Sequence, residues 1–280
     1  MAETPQEIYY GASMVYDGGR YIYVLKGNGD DTFLSYDTES DLWTTLTNVD
    51  FGQPYYQVNN MVSYGGNLAM DIRDGKIYAI QGNTRSGFSV YDVANQSWSR
   101  LPNLPALAYY GARIEFDAED REIYYLPGWD KDYWYKYKID DQVWEKLTNA
   151  PAVISYGAAM RLVGDEMIVM RGANTNSMYK YDIEKDSWFL PNVGLFGTWY
   201  RGTNSRAFGP GAEIVKGDAN NYYISRGNWD NSFVRYNSLT GEISRLSDAP
   251  AGFYNGSEMA YDSVRNKLFE IGRASCRERV

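Results

Sequence analysis

The sequence predicts an all-β protein in which four-stranded antiparallel sheets pack radially as the blades of a β-propeller. Three observations predict it. One motif recurs five times at steps of 44 to 55 residues. Each copy divides into four short, strand-like runs separated by Gly, Asn and Asp. No segment sustains a 3.6-residue apolar period between helix caps.

The anchors of the motif are a Tyr-Asp pair and a Trp six residues past the Asp. Tyr36-Asp37 leads to Trp43, Tyr91-Asp92 to Trp98, Tyr137-Lys138 to Trp144, and Tyr181-Asp182 to Trp188. Tyr236-Asn237 leads to Ile243, where the Trp is lost. Upstream of each anchor lies an apolar strand closed by glycine: YIYVLKG, KIYAIQG, EIYYLPG, EMIVMRG and NYYISRG. Further upstream is a shorter run after another glycine: SMVYD, LAMDI, ARIEF, AAMRL and AEIVK. Each unit therefore reads as strands a to d. Strand a is expected to be small and apolar for a crowded centre, and b the most apolar. Strand c ends in Tyr-Asp, and d carries Trp and then Leu. A twisted four-stranded sheet cannot bury both faces alone, and radial packing against neighbouring blades does so. Four strands per unit of this length is the period of propeller blades rather than of helical repeats.

These residues resemble the kelch repeat in a divergent form. The second glycine of that family's glycine pair is replaced here in KGNGDD, QGNTRS, PGWDKD, RGANTN and RGNWDN. The resemblance places the chain in the kelch and galactose-oxidase-like superfamily and implies a single propeller domain over 1–270. Its blades are expected at about 11–50, 65–106, 111–152, 157–194, 211–250 and 256–270, the sixth truncated. Such propellers close with six or seven blades, so an open arc or an imperfectly closed ring is expected. The last ten residues, IGRASCRERV, hold the only cysteine and match, in one reading frame, the translation of a common sequencing adapter. They are set aside as non-native, and the chain is read as a fragment.

Composition narrows the chemistry. The chain has no His and one Cys, which removes Ser-His-Asp triads, His-ligated zinc and disulfide frameworks. A copper oxidase of the galactose-oxidase kind needs histidine ligands and is excluded on the same ground. The net charge of −9 disfavours nucleic acid, and no apolar run is long enough for a membrane span. Asp30–Asp31 and Asp130–Asp132 read as solvated turns rather than calcium loops. No cofactor or metal is expected.

The b–c loops and the d–a loops between blades should open on one face. The b–c loops are small and polar: Asn28, Asp30 and Asp31; Asn83 and Arg85; Trp129, Asp130 and Asp132; Asn174 and Asn176; Asn228, Trp229 and Asp230. Two d–a loops are long, VDFGQPYYQVNNMVSYGG and VGLFGTWYRGTNSRAFGPG, and extra length on one face of a repeat array marks a binding face. The candidate ligand-binding residues are Tyr55, Tyr56, Trp129, Trp199, Tyr200, Arg201, Arg206 and Trp229. Aromatic faces beside amides and carboxylates suit sugars, and they suit protein loops equally. The recurring Tyr10, Tyr110 and Tyr156 are expected to pack blade to blade, and the repeat tryptophans to lie in the core. Of two N-x-S sites, at Asn95 and Asn255, Asn95 falls in a c–d turn. The expectation is a non-catalytic recognition module for a protein or carbohydrate ligand, with an extracellular or cell-surface location favoured. The alternatives are a sugar-processing propeller enzyme, sialidase- or sialic-acid-epimerase-like, or an intracellular adaptor.

Overall fold

The computed structural model describes residues 2–52, 60–189, 208–272 and, for backbone only, 275–279. Every regular element among them is a β-strand. The first sheet orders β1 (Ser13–Tyr16), β2 (Tyr21–Leu25), β3 (Phe33–Asp37) and β4 (Leu42–Thr45). The second orders β5 (Asn67–Asp71), β6 (Lys76–Ile80), β7 (Phe88–Asp92) and β8 (Ser97–Arg100). The third holds β9 (Arg113–Asp117), β10 (Glu122–Leu126), β11 (Tyr135–Lys138) and β12 (Val143–Lys146). The fourth holds β13 (Ala159–Val163), β14 (Glu166–Met170), β15 (Met178–Asp182) and β16 (Ser187–Phe189). The fifth comprises β17 (Ala212–Lys216), β18 (Asn221–Arg226), β19 (Phe233–Asn237) and β20 (Ile243–Arg245). The sixth has three strands, β21 (Glu258–Asp262), β22 (Lys267–Gly272) and β23 (Ser275–Arg279). β23 falls in the segment set aside by the sequence reading, and its backbone pairs antiparallel with β22.

The spacing of the motif now has a physical reason. Tyr36 pairs directly across the c–d hairpin with Trp43, and the same register joins Tyr91 to Trp98, Tyr137 to Trp144 and Tyr181 to Trp188. Their ring centroids lie 5.0, 5.1, 5.0 and 5.1 Å apart, the range of favourable cross-strand aromatic pairs. The Asp of the pair sets the turn: Asp37 Oδ1 accepts from the backbone N–H of Glu39 and Ser40. The motif tyrosines are buried, whereas the four tryptophans are half-buried at the blade flanks, a correction to their expected place in the core. Each indole reaches out of its own blade. Trp98 Nε1 donates to the Thr47 carbonyl, Trp144 to Pro102 and Trp188 to Thr148, at 3.0, 3.4 and 2.7 Å. These bonds staple the second, third and fourth blades each to the one before.

The ring is closed rather than open. β21 stands beside β1 as each inner strand stands beside the next. Ile8, Met14, Val24 and Tyr36 share one buried cluster with Ala260, Phe269 and Ile271 of the sixth sheet. Tyr16 Oη donates to Asp262 Oδ1 at 2.8 Å, and Arg265 pairs with Glu39 at 2.7 Å. A three-stranded sheet suffices because closure is made by the inner strands, whose apolar faces need a neighbour on both sides.

One glycine per blade fixes how closely the blades approach. Gly11, Gly65, Gly111, Gly157, Gly211 and Gly256 all have φ between +71° and +86°. A Cβ on each would collide with backbone of the following blade. The last of these contacts, Gly256 against the Tyr9 carbonyl, crosses the seam between the chain's two ends.

Candidate functional site

The b–c and d–a loops do share a face, because they bond to one another. Isolated bridges join Asp30 to Val62, Arg85 to Ala108, Lys131 to Ile154, Thr175 to Phe208 and Asp230 to Phe253. The b–c turns also hang from the residue before each ring glycine. Asn28 N donates to the Tyr10 carbonyl, Asn83 N to Tyr64, Trp129 N to Tyr110, Ala173 N to Tyr156 and Asn228 N to Pro210. Asn28, Asn83, Asn174 and Asn228 have positive φ, which accounts for the asparagines there, since Asn tolerates that region better than most side chains.

Tyr10, Tyr64, Tyr110 and Tyr156 occupy the same position in four consecutive blades. Their rings follow one another around the centre of the face, tilted, edge-on-face and stacked in turn, with centroids 4.3, 5.1 and 6.0 Å apart. They do pack blade to blade, and together they form a half-collar of partly exposed aromatic surface. Burial first, then the neighbouring Tyr10, pushes the Tyr64 hydroxyl up to about 12, so it is a neutral donor at physiological pH. Amides continue the arc. Asn174 Nδ2 donates to Tyr156 Oη at 3.1 Å, and Asn228 Nδ2 donates to Asn174 Oδ1 at 2.7 Å. Asn255, buried beneath the collar, accepts from Tyr110 Oη. That burial makes Asn255 unsuitable for glycosylation.

Of the sequence candidates, Trp129 and Trp229 lie on this face, 52% and 54% exposed, in b–c turns two blades apart. Trp229 stacks on Tyr254 at 4.1 Å and 17° between planes. Tyr55, Tyr56, Trp199, Tyr200, Arg201 and Arg206 lie outside the described residues. Tyr64 was missed because its tyrosine-glycine context reads as turn chemistry. Its register with Tyr10, Tyr110 and Tyr156 was the available signal.

Behind the collar, the propeller axis is not the apolar centre expected. Arg113, Glu115, Arg161, Glu213 and Glu258 project there from β9, β13, β17 and β21, and the three carboxylates are buried. Arg161 Nη1 stands 3.2 Å from Glu115 Oε2, and its Nε donates to the Ile214 carbonyl at 3.1 Å. Arg113 Nη2 lies 3.6 Å from Glu213 and 3.7 Å from Glu258. Burial, then the negative charge of Glu213, holds the Glu258 carboxyl well above the ordinary carboxylate range, and burial also raises Glu115. Ser13 and Asn67 continue the layer by hydrogen bonds at 3.1 Å to each other and 2.9 Å from the Ile114 N–H to Asn67 Oδ1.

No known protein-family model matches the chain, and no curated protein sequence matches it. Solved structures do match in shape. The structure of YjhT aligns with a TM-score of 0.71 and 12% identity, over 99% of this chain and 95% of that one. The fold is a β-propeller. An auxiliary nutrient binding protein from Bacteroides thetaiotaomicron VPI-5482 aligns at 0.68 and 11% identity, over 98% of this chain and 69% of that one. A chain of the mitotic checkpoint complex aligns at 0.63 and 10% identity, over 100% and 90%. At these identities the likeness shows architecture, and function must come from the site.

Proposed function

We propose that the protein is a kelch-type recognition propeller that binds carbohydrate on the face carrying the tyrosine half-collar. The observation that carries this reading is the continuity of four aromatic rings, Tyr10, Tyr64, Tyr110 and Tyr156, with the amides of Asn174 and Asn228. Sugar rings present apolar C–H faces and a rim of hydroxyls. The tyrosines cover the first, and amides satisfy the second as both donors and acceptors. Trp229 on Tyr254 adds a rigid platform at the edge, where an indole held by stacking gives contact area at little entropic cost. The nutrient binding protein of similar shape supports the use of this architecture for capture.

A glycan array followed by calorimetry tests the reading. Tyr64→Ala and Trp229→Ala should each weaken the selected glycan about tenfold or more, roughly 1.4 kcal/mol. Leu239→Ala, on a c–d turn of the opposite face, should leave affinity unchanged. If no glycan binds and a displayed peptide binds in a manner that requires Tyr64 and Trp229, the face serves a protein partner and the carbohydrate assignment is wrong.

A further inference from the structure

We propose that Trp129 is a separate subsite of the tyrosine-lined face, placed so that the face binds a linear oligosaccharide along its length and favours long chains over short ones. This rests on the carbohydrate reading of that face and adds chain length to it. Trp129 is 52% exposed, and among the described residues its indole meets no other ring and makes no hydrogen bond. Its backbone is strained. Trp129 follows Gly128 at the first of two left-handed positions in its b–c turn, with φ +42°. The other complete blades fill that position with Asn28, Asn83, Ala173 and Asn228. Asparagine and small residues adopt this region at less cost than a bulky ring. An exposed indole held where asparagine would serve the fold better points to a use outside the fold.

A continuous line of contacts leads from Trp229 to Trp129. Asn228 adjoins Trp229 in the chain, and its Nδ2 donates to Asn174 Oδ1 at 2.7 Å. Asn174 Nδ2 donates to Tyr156 Oη at 3.1 Å. The Tyr156 ring stacks on Tyr110 with centroids 6.0 Å apart and 27° between planes. The Tyr110 carbonyl then accepts from the Trp129 N–H at 3.1 Å. The track has an indole at each end, with amides and phenols between. The two indoles stand on b–c turns of the third and fifth blades, with the whole fourth blade between them. Packed sheets lie ~10 Å apart, so two blade steps separate the indoles by on the order of 20 Å. One sugar ring cannot touch both. A linear oligosaccharide can, with a sugar face on each indole and its middle hydroxyls on the amides and phenols.

Chain length matters because the two ends of the track differ. Trp229 is backed by Tyr254 and adjoins the amides, so a short glycan finds most of its contacts there and on the collar. Trp129 alone offers one ring face and holds a single sugar weakly. A chain already seated on the collar presents its further sugars to Trp129 at high local concentration. The second contact then adds affinity without a second loss of translational freedom. A chain too short to reach Trp129 gains nothing from it.

The test is calorimetric titration of the whole protein with cello-, malto- and chito-oligosaccharides of two and six residues. In at least one series the hexasaccharide is expected to bind about tenfold or more tighter than the disaccharide. Trp129→Asn should remove that gain, weakening the hexasaccharide about tenfold and leaving the disaccharide unchanged. Tyr64→Ala should weaken both. Asparagine holds the same position in three other blades, so Trp129→Asn should melt no lower than the parent. A lower melting temperature with equal weakening of both lengths would make Trp129 a structural residue and overturn the proposal. A hexasaccharide no tighter than the disaccharide, or one that Trp129→Asn leaves untouched, also overturns it, and the carbohydrate reading then stands if Tyr64→Ala still weakens binding. Failure of every series to bind overturns the proposal and counts against that reading as well.

Discussion

Gly65→Ala is expected to unfold the propeller or lower its stability by about 4 kcal/mol or more, the range reserved for substitutions with a severe structural cause. Two costs combine. The residue sits at φ +83°, where an L side chain meets its own backbone at about 1–2 kcal/mol. The added Cβ would also stand 1.8 Å from the Tyr109 carbonyl oxygen of the next blade. That atom belongs to backbone fixed by its own hydrogen bond from the Tyr109 N–H to the Pro127 carbonyl at 2.9 Å, so it cannot rotate away as a side chain would. Gly164 separates the two costs. Its φ is +61° and nothing lies within 4 Å of its would-be Cβ. Gly164→Ala should therefore cost about 1 kcal/mol, from conformation alone. Urea denaturation of both variants measures the difference. Equal costs would mean that the blades yield, and that the six-glycine ring is a matter of turn geometry and not of close approach. Gly256→Ala, with its Cβ 2.2 Å from the Tyr9 carbonyl oxygen, applies the same test to the seam where the last sheet meets the first.

The elements that recur were legible in the sequence, and those that occur once were not. The Tyr-Asp and Trp anchors showed themselves because the c–d hairpin places Tyr and Trp opposite each other in every blade, and a repeated physical need leaves a repeated word. Even Ile243 fits, since it takes the Trp position opposite Tyr236. The buried charges behave differently. ARIEF, AAMRL and AEIVK each carry charge at positions filled in other blades by Ser13, Val15, Asn67 or Ala69. A single-blade reading therefore assigns those charges to solvent, where strands of one-sided sheets put them. Only closure of the ring brings β9, β13, β17 and β21 to one axis and turns five scattered residues into a cluster. Trp134, by contrast, takes a recurring place three residues before the motif Tyr: its ring lies 4.3 Å from Tyr181 of the next blade, as Phe33 and Phe88 lie 5.0 and 5.2 Å from Tyr91 and Tyr137.

Arg161→Leu is the second large effect, and its pH dependence identifies the cause. Arg161 bridges three blades: it extends from β13, contacts Glu115 on β9 through Nη1, donates to the Ile214 carbonyl of β17 through Nε, and stands 4.0 Å from Glu213 Oε1 through Nη2. Removing one partner from a buried ionic network costs about 3–5 kcal/mol, because the carboxylates remain where water cannot reach them. Leucine fills much of the space, so little of that loss should be packing. Unfolded glutamates titrate near pH 4.3. In the fold, Glu115 and Glu258 are already held above that by burial, with Arg161 opposing the rise at both and Arg113 at Glu258. Without Arg161 they rise further. A folded carboxyl that binds its proton more tightly than the unfolded one contributes stability that is present at acid pH and lost as pH climbs through the folded value. The penalty of Arg161→Leu should therefore be largest at pH 7–8 and shrink toward pH 4, where the carboxyls are neutral in both states. Glu258→Gln should do the reverse, gaining stability over the parent as pH rises, since it removes a carboxyl that the fold keeps protonated while the unfolded chain ionises it. Urea denaturation of the three proteins across pH 4–8 gives the comparison. A cost for Arg161→Leu that stays flat with pH would show that the guanidinium acts as a spacer between blades, and that the axial carboxylates do not depend on it for their charge.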